Sequence, residues 1–177
     1  MKQQIEVRKM TLSAMFLALA FILPFLTGQI PQIGSMLCPM HIPVLLCGFF
    51  CGGSWGLAVG VIAPILRSFI LGMPLMFPTA LCMAFELGTY GLISGILHKI
   101  LPKKKVYICV SLLTAMAAGR IVWGLAMFAC MGFDVAKFGM TAFIAGAVTT
   151  AIPGIILQII IIPVLIIMAE KFLDKMN

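Results

Sequence analysis

The sequence predicts an all-α membrane protein, a compact bundle of six transmembrane helices with both termini in the cytoplasm. Three observations carry that prediction. Of the 177 residues, 63% are apolar and only 10% are charged, and the mean hydropathy is +1.20; this lies outside the range of soluble globular domains. Apolar runs recur along the chain, separated by Gly, Pro and Lys clusters that punctuate regular structure. The basic residues collect on one side of that alternation. With roughly 20 residues needed per spanning helix, residues 1–177 hold six spans and short loops in a single domain.

Taken in order, the first helix follows the polar start MKQQIEVRK and is expected over about residues 10–27, before the loop-like GQIPQIGSMLCPM. A secretory signal is the competing reading, since Ala18 and Ala20 form an A-x-A. The apolar stretch runs past that point to Leu26, longer than a typical signal core, which favours a retained helix. Helices two and three are expected at 41–52 and 55–71 with a glycine turn at Gly52 and Gly53, and the second is shorter than a full span. The fourth is expected at 77–98, ahead of HKILPKKK, and the fifth at 106–131. The sixth is expected at 140–169, bent at Pro153 and Pro163.

Charge fixes the expected orientation. With the N-terminus inside, Lys2, Arg8, Lys9, Lys99, Lys103, Lys104, Lys105, Lys171 and Lys175 face the cytoplasm, and only Lys137 lies outside, in line with the positive-inside rule. The net charge of +7 therefore belongs to a bilayer flank, not to nucleic acid. The chain has no G-x-x-x-x-G-K-[ST] loop, so any use of ATP falls to another polypeptide. No cofactor and no metal site is expected: the spacing of Cys38, His41, Cys47 and Cys51 matches no zinc pattern. The six cysteines fall mostly in apolar segments and imply no disulfide framework.

Ionisable groups within spans carry the candidate chemistry, because each costs about 2.5–3.5 kcal/mol or more to insert and so faces the bundle interior or a wet cavity. Counted at 1.5 Å per residue, Glu86 lies about 14 Å and Arg120 about 16 Å below the outer surface, so the two can pair. As a bare ion pair they would add little, since desolvation offsets attraction. Thr79, Met83, Glu86 and Tyr90 share one helical face, as do Arg120, Trp123 and Met127. Sulfur and aromatic side chains around a few polar groups suit a small-molecule pocket. Arg67 either turns into that pocket, where a second cation would favour an anionic ligand, or snorkels to the headgroups. His41 is a weaker candidate contact at the start of the second helix, and Thr149 and Thr150 are secondary candidates. Ala14 and Ala18 form a small-x-x-x-small pair that allows close approach of another helix, within the protein or from a partner.

The six-span layout, the basic leader, the Ala14–Ala18 pair, and the segments LCPMHIPVLLCGFFCG and GMPLMFPTALCMAFELGTYGLISG together resemble the S components of energy-coupling factor (ECF) transporters, nearest to the pantothenate and riboflavin branch. The resemblance implies the high-affinity substrate-binding subunit of an ABC-type importer, multi-pass in a bacterial plasma membrane. Its expected partners are a transmembrane coupling protein, met through Ala14 and Ala18, and two cytoplasmic ATPases. It also implies that the loop Gln29–Met40 lids a site on helices four, five and six. The arginines suit a carboxylate-bearing vitamin, which points to pantothenate, whose hydroxyl and amide groups Glu86, Tyr90 and Trp123 can meet. Riboflavin is the alternative, stacking on Trp123 and phenylalanines; folate, niacin and queuosine precursors stay open. A membrane enzyme lacks a nucleophile and base at workable spacing. An ion-coupled carrier would normally show paired halves with broken helices, which this length does not hold.

Overall fold

The computed structural model describes residues 2–27, 37–102, 104–134, 138–146 and 151–176, and every regular element among them is helical. Helix α1 runs Lys2–Ile22 and tightens into a 3-10 turn at Leu23–Thr27. It begins eight residues before the expected start. The leader KQQIEVRK holds no Gly or Pro and several strong helix formers, and Lys9 Nζ reaches Glu6 Oε1 at 3.4 Å on its exposed face.

Helix α2, His41–Cys51, has the expected position, but its 11 residues cover only about 16 Å at 1.5 Å per residue. A bilayer core is about 30 Å thick. Among the described residues, five helices are long and apolar enough to cross a membrane and α2 is not one of them, so in place of the expected six spans there are five long helices and a short one. Every α2 residue except Phe50 is buried. Its Leu45 and Cys47 share a core with Leu87, Leu112, Ala115, Ile162 and Ile166 from three other helices. A helix apolar on all sides belongs in such a position.

Helix α3, Gly53–Leu71, follows a turn at Gly52 (φ +95°) and ends at the left-handed Gly72 (φ +69°), a conformation glycine supplies without steric cost. Helix α4, Leu81–Ile100, starts four residues later than expected, after a wide turn over Met76–Ala80 that contains Pro78. Helices α3 and α4 run antiparallel in backbone contact. A Cβ on Gly56 would lie 2.6 Å from Gly91 O, one on Gly60 2.6 Å from Gly88 N, and one on Gly53 2.8 Å from Leu92 O. Gly56 and Gly60 thus form a small-x-x-x-small pair, the packing that brings membrane helices together where lipid removes the hydrophobic drive.

Helix α5, Lys105–Cys130, lies antiparallel to α4, and a Cβ on its Gly119 would overlap the Tyr90 ring. The expected sixth helix is seen in two stretches, with residues 147–150 between them outside the described residues. One turn spans Met140–Ile144, and helix α6 runs Ile152–Met176, with Pro153 in its first turn, where a missing N–H costs nothing. The antiparallel pairs give the bundle a distal end, where α3 and α5 finish and α4 and α6 begin, opposite the proximal end of Gly52, Ile100 and Lys105.

Candidate binding site

Four elements bring polar side chains to one place in the distal half. Glu86, one and a half turns into α4, is 1% exposed, and three groups surround its carboxylate. Arg120 Nη1 of α5 lies 3.0 Å from Oε1. The Tyr90 hydroxyl, one turn along α4, donates to the same oxygen at 2.9 Å. His41 Nε2, at the start of α2, lies 3.4 Å away, close enough for an ion pair but outside hydrogen-bonding geometry. The shortness of α2 is what makes this meeting possible, since it places His41 inside the bundle and not at its surface. The imidazole leans on the Tyr90 ring, centroids 5.3 Å apart and planes tilted by 57°.

The fourth element is the chain entering α2. Arg120 Nη2 donates to Cys38 Sγ at 3.7 Å, and Cys38 carries a positive φ of 47°, a conformation uncommon in residues with a side chain and one that tends to mark functional sites. Burial pushes the Cys38 thiol above its ordinary range, against the pull of Arg120. The sulfur therefore meets the guanidinium as a neutral, weak acceptor.

The cluster is closed. Tyr90 and His41 are 0% and 3% exposed, and the Arg120 side chain is 14% exposed. Where the sequence pointed to an open hollow beside the pair, the charges fill their own space, because a carboxylate in low dielectric is held by whatever donors reach it. Several polar atoms are nevertheless left over. Among the described residues, Arg120 Nε, both ring nitrogens of His41, both Oε1 and Nε2 of Gln158 and, toward the proximal end of α5, Ser111 Oγ are buried without a hydrogen-bond partner. Each such atom costs on the order of 1–3 kcal/mol. Gln158 was not anticipated. It sits 1% exposed on the buried stripe of α6 that continues through Ile162 and Ile166, at a depth from the distal end comparable with Glu86. A single amide inside LQIIII was the available signal, since a polar residue amid a spanning run normally has a task.

The other candidates fall elsewhere. Arg67 is 5% exposed; its Nη1 donates to Phe21 O at 2.8 Å and its guanidinium lies 5.3 Å from the Phe25 ring centre, tying α3 to the end of α1. Its bond and ring contact thus lie on α1 and the turn after it. Trp123, nearly one turn beyond Arg120, packs against Phe138 (5.8 Å, edge-on) and Phe143 (6.4 Å, stacked), so the distal connection folds over this part of α5. Ala14 and Ala18 are exposed on α1, whereas Ser13, Phe16 and Ala20 turn inward. No three His, Cys, Asp or Glu side chains among the described residues are grouped to hold a metal. Most of the expected lid, residues 29–36, and Thr149 and Thr150 lie outside the described residues.

The family model "ECF transporter, substrate-specific component" matches residues 8–166. No curated protein and no solved structure matches the chain. The chain belongs to the family of ECF transporter substrate-specific components.

Proposed function

We propose that this substrate-specific component captures a water-soluble vitamin at the Glu86–Arg120 cluster, entering from the distal end, and that the vitamin is pantothenate. The observation that carries the reading is the set of buried polar atoms left without partners around an already paired acid and arginine. A bundle designed only to pack would fill those positions with apolar groups at no loss of stability. A ligand bearing both donors and acceptors satisfies them. The unused Nε edge of Arg120 suits a carboxylate, and His41 and Gln158 suit hydroxyl and amide groups. Cys38 links the segment entering α2 to Arg120, so admitting a ligand means breaking one weak bond and parting that segment from α5.

The described charges favour a ligand that brings its own hydrogen bonds over one bound by net charge alone. With Arg67 engaged on α1, the cluster balances one cation against one carboxylate. Riboflavin is the second reading, favoured by the aromatic wall of Trp123, Phe138 and Phe143, against which a flavin ring would stack. The distal end faces the outside and both termini face the cytoplasm of a bacterial plasma membrane, supported by nine basic residues against one. The exposed Ala14–Ala18 ridge meets a transmembrane coupling protein, and two separate ATPases supply the energy. Mass spectrometry of small molecules released by denaturing the freshly purified protein tests the assignment. Pantothenate at near one per chain is expected; riboflavin would move the assignment to the aromatic wall, and no released metabolite from protein made in rich medium would oppose both.

A further inference from the structure

We propose that Cys82 and Cys130 are a redox-modification site, a dithiol that closes into a reversible disulfide and staples the distal ends of α4 and α5. Cys82 is the second residue of α4 and Cys130 the last of α5. Their sulfurs lie 3.7 Å apart, in S–H···S contact. Of the remaining thiols, Cys38 faces Arg120, Cys47 faces Ser13 at 3.6 Å and Cys51 one turn along α2, and Cys109 lies near the proximal end of α5. A disulfide needs the sulfurs at about 2.05 Å, an approach that side-chain rotation and a small shift of two helix ends supply. Both residues sit at the end assigned to the outside, the compartment in which disulfides form and persist.

The chemistry uses a small-molecule disulfide such as oxidised glutathione as oxidant. Cys130, half-buried where Cys82 is fully buried, attacks first as the thiolate, having given its proton to solvent. Its sulfur bonds to one sulfur of the oxidant, the oxidant's S–S bond breaks, and one glutathione thiolate leaves. Cys82 then loses its proton and attacks the Cys130 sulfur of the mixed disulfide, releasing the second glutathione thiolate. The protein has lost two electrons and two protons, and the oxidant has become two thiols. Glu86 lies one turn below Cys82, so the staple holds together the two helices whose charges pair at 3.0 Å and limits how far they part. The inference stands on thiol geometry and holds whichever vitamin, if any, the cluster binds.

The test counts thiols in the purified full chain. After treatment with oxidised glutathione, removal of free oxidant by gel filtration and release of bound glutathione by brief mild thiol exchange, the denatured protein is alkylated with N-ethylmaleimide and weighed intact. Of its six cysteines the wild type is expected to label two fewer, and all six again after full reduction. Under the same treatment the C82S/C130S variant is expected to label all of its remaining cysteines. Full labelling of oxidised wild type would overturn the proposal. Loss of two labels from C82S/C130S would also overturn it, by placing the reactive pair elsewhere, for example at Cys47 and Cys51 on successive turns of α2.

Discussion

Removing Arg120 should destabilise the protein far more than removing the whole Arg120–Glu86 pair, whereas both changes should weaken binding. The Arg120→Met change leaves Glu86, 1% exposed, with only the Tyr90 hydroxyl as a hydrogen-bond donor. Stripping one partner from a buried pair costs about 3–5 kcal/mol, and a chain of this size shifts its melting temperature by about 2–4 °C per kcal/mol. A fall on the order of 10 °C is therefore expected. Glu86→Gln alone is milder, since the amide oxygen still accepts from Tyr90 and Arg120 keeps its path to solvent and to Cys38; loss of one charge-assisted bond costs about 1.5–3 kcal/mol. The double variant removes both charges, and its melting temperature should return to within a few degrees of wild type. Its affinity for the vitamin should not return, staying at least tenfold weaker, or about 1.4 kcal/mol. Fluorescence-monitored melting in detergent micelles, run alongside ligand titration on the same four proteins, separates the two effects. Additive melting shifts, with no recovery in the double variant, would refute the claim that the charges depend on one another. Wild-type affinity in the double variant would refute the claim that they form the site.

Four further outcomes follow from other parts of the bundle. Gln158→Leu removes two unsatisfied atoms from α6, so it should melt at or above wild type while binding at least about tenfold more weakly; unchanged affinity would make Gln158 a packing residue. Arg67→Met forfeits the bond to Phe21 O and should cost about 1.5–3 kcal/mol of stability with affinity intact, whereas a selective loss of binding would show that Arg67 reaches the ligand. Gly91→Ala forces a methyl onto the Gly56 backbone and should lower melting by an amount matching about 1–3 kcal/mol of overpacking; an unshifted melt would mean that α3 and α4 separate freely. Replacing Ala14 and Ala18 by leucine should abolish uptake in cells and leave binding by the purified protein unchanged, and loss of both together would mean that the ridge packs within the chain.

Much of this was legible in the sequence because membrane helices are written in simple length and charge. The apolar runs located all six helices, and counting 1.5 Å per residue from each end brought Glu86 and Arg120 to one depth, where the structure pairs them. What the runs could not give was where a helix begins when its polar turns continue it, as in the leader of α1, or where a proline-bearing turn delays it, as at Pro78. That His41 reaches Glu86 was not legible, because its depth depends on how far α2 is drawn into the bundle, a property of packing. The Gly56 and Gly60 pair was readable from its spacing, and Gly52 is the turn that the sequence suggested. Arg67 shows the converse limit: its partners are a backbone carbonyl and a ring on α1, and no pattern in either segment names them.

The central claim is that the unpartnered polar atoms around Glu86 and Arg120 are waiting for a vitamin. The most direct measurement is calorimetric titration of the purified chain, stripped of ligand and free of ATP, with pantothenate, riboflavin and the other vitamins of the family in turn. The account predicts saturable one-to-one binding by one of them, pantothenate first, and loss of that isotherm in the E86Q/R120M variant. Heat from none of them, or an isotherm that the double variant reproduces, would contradict it.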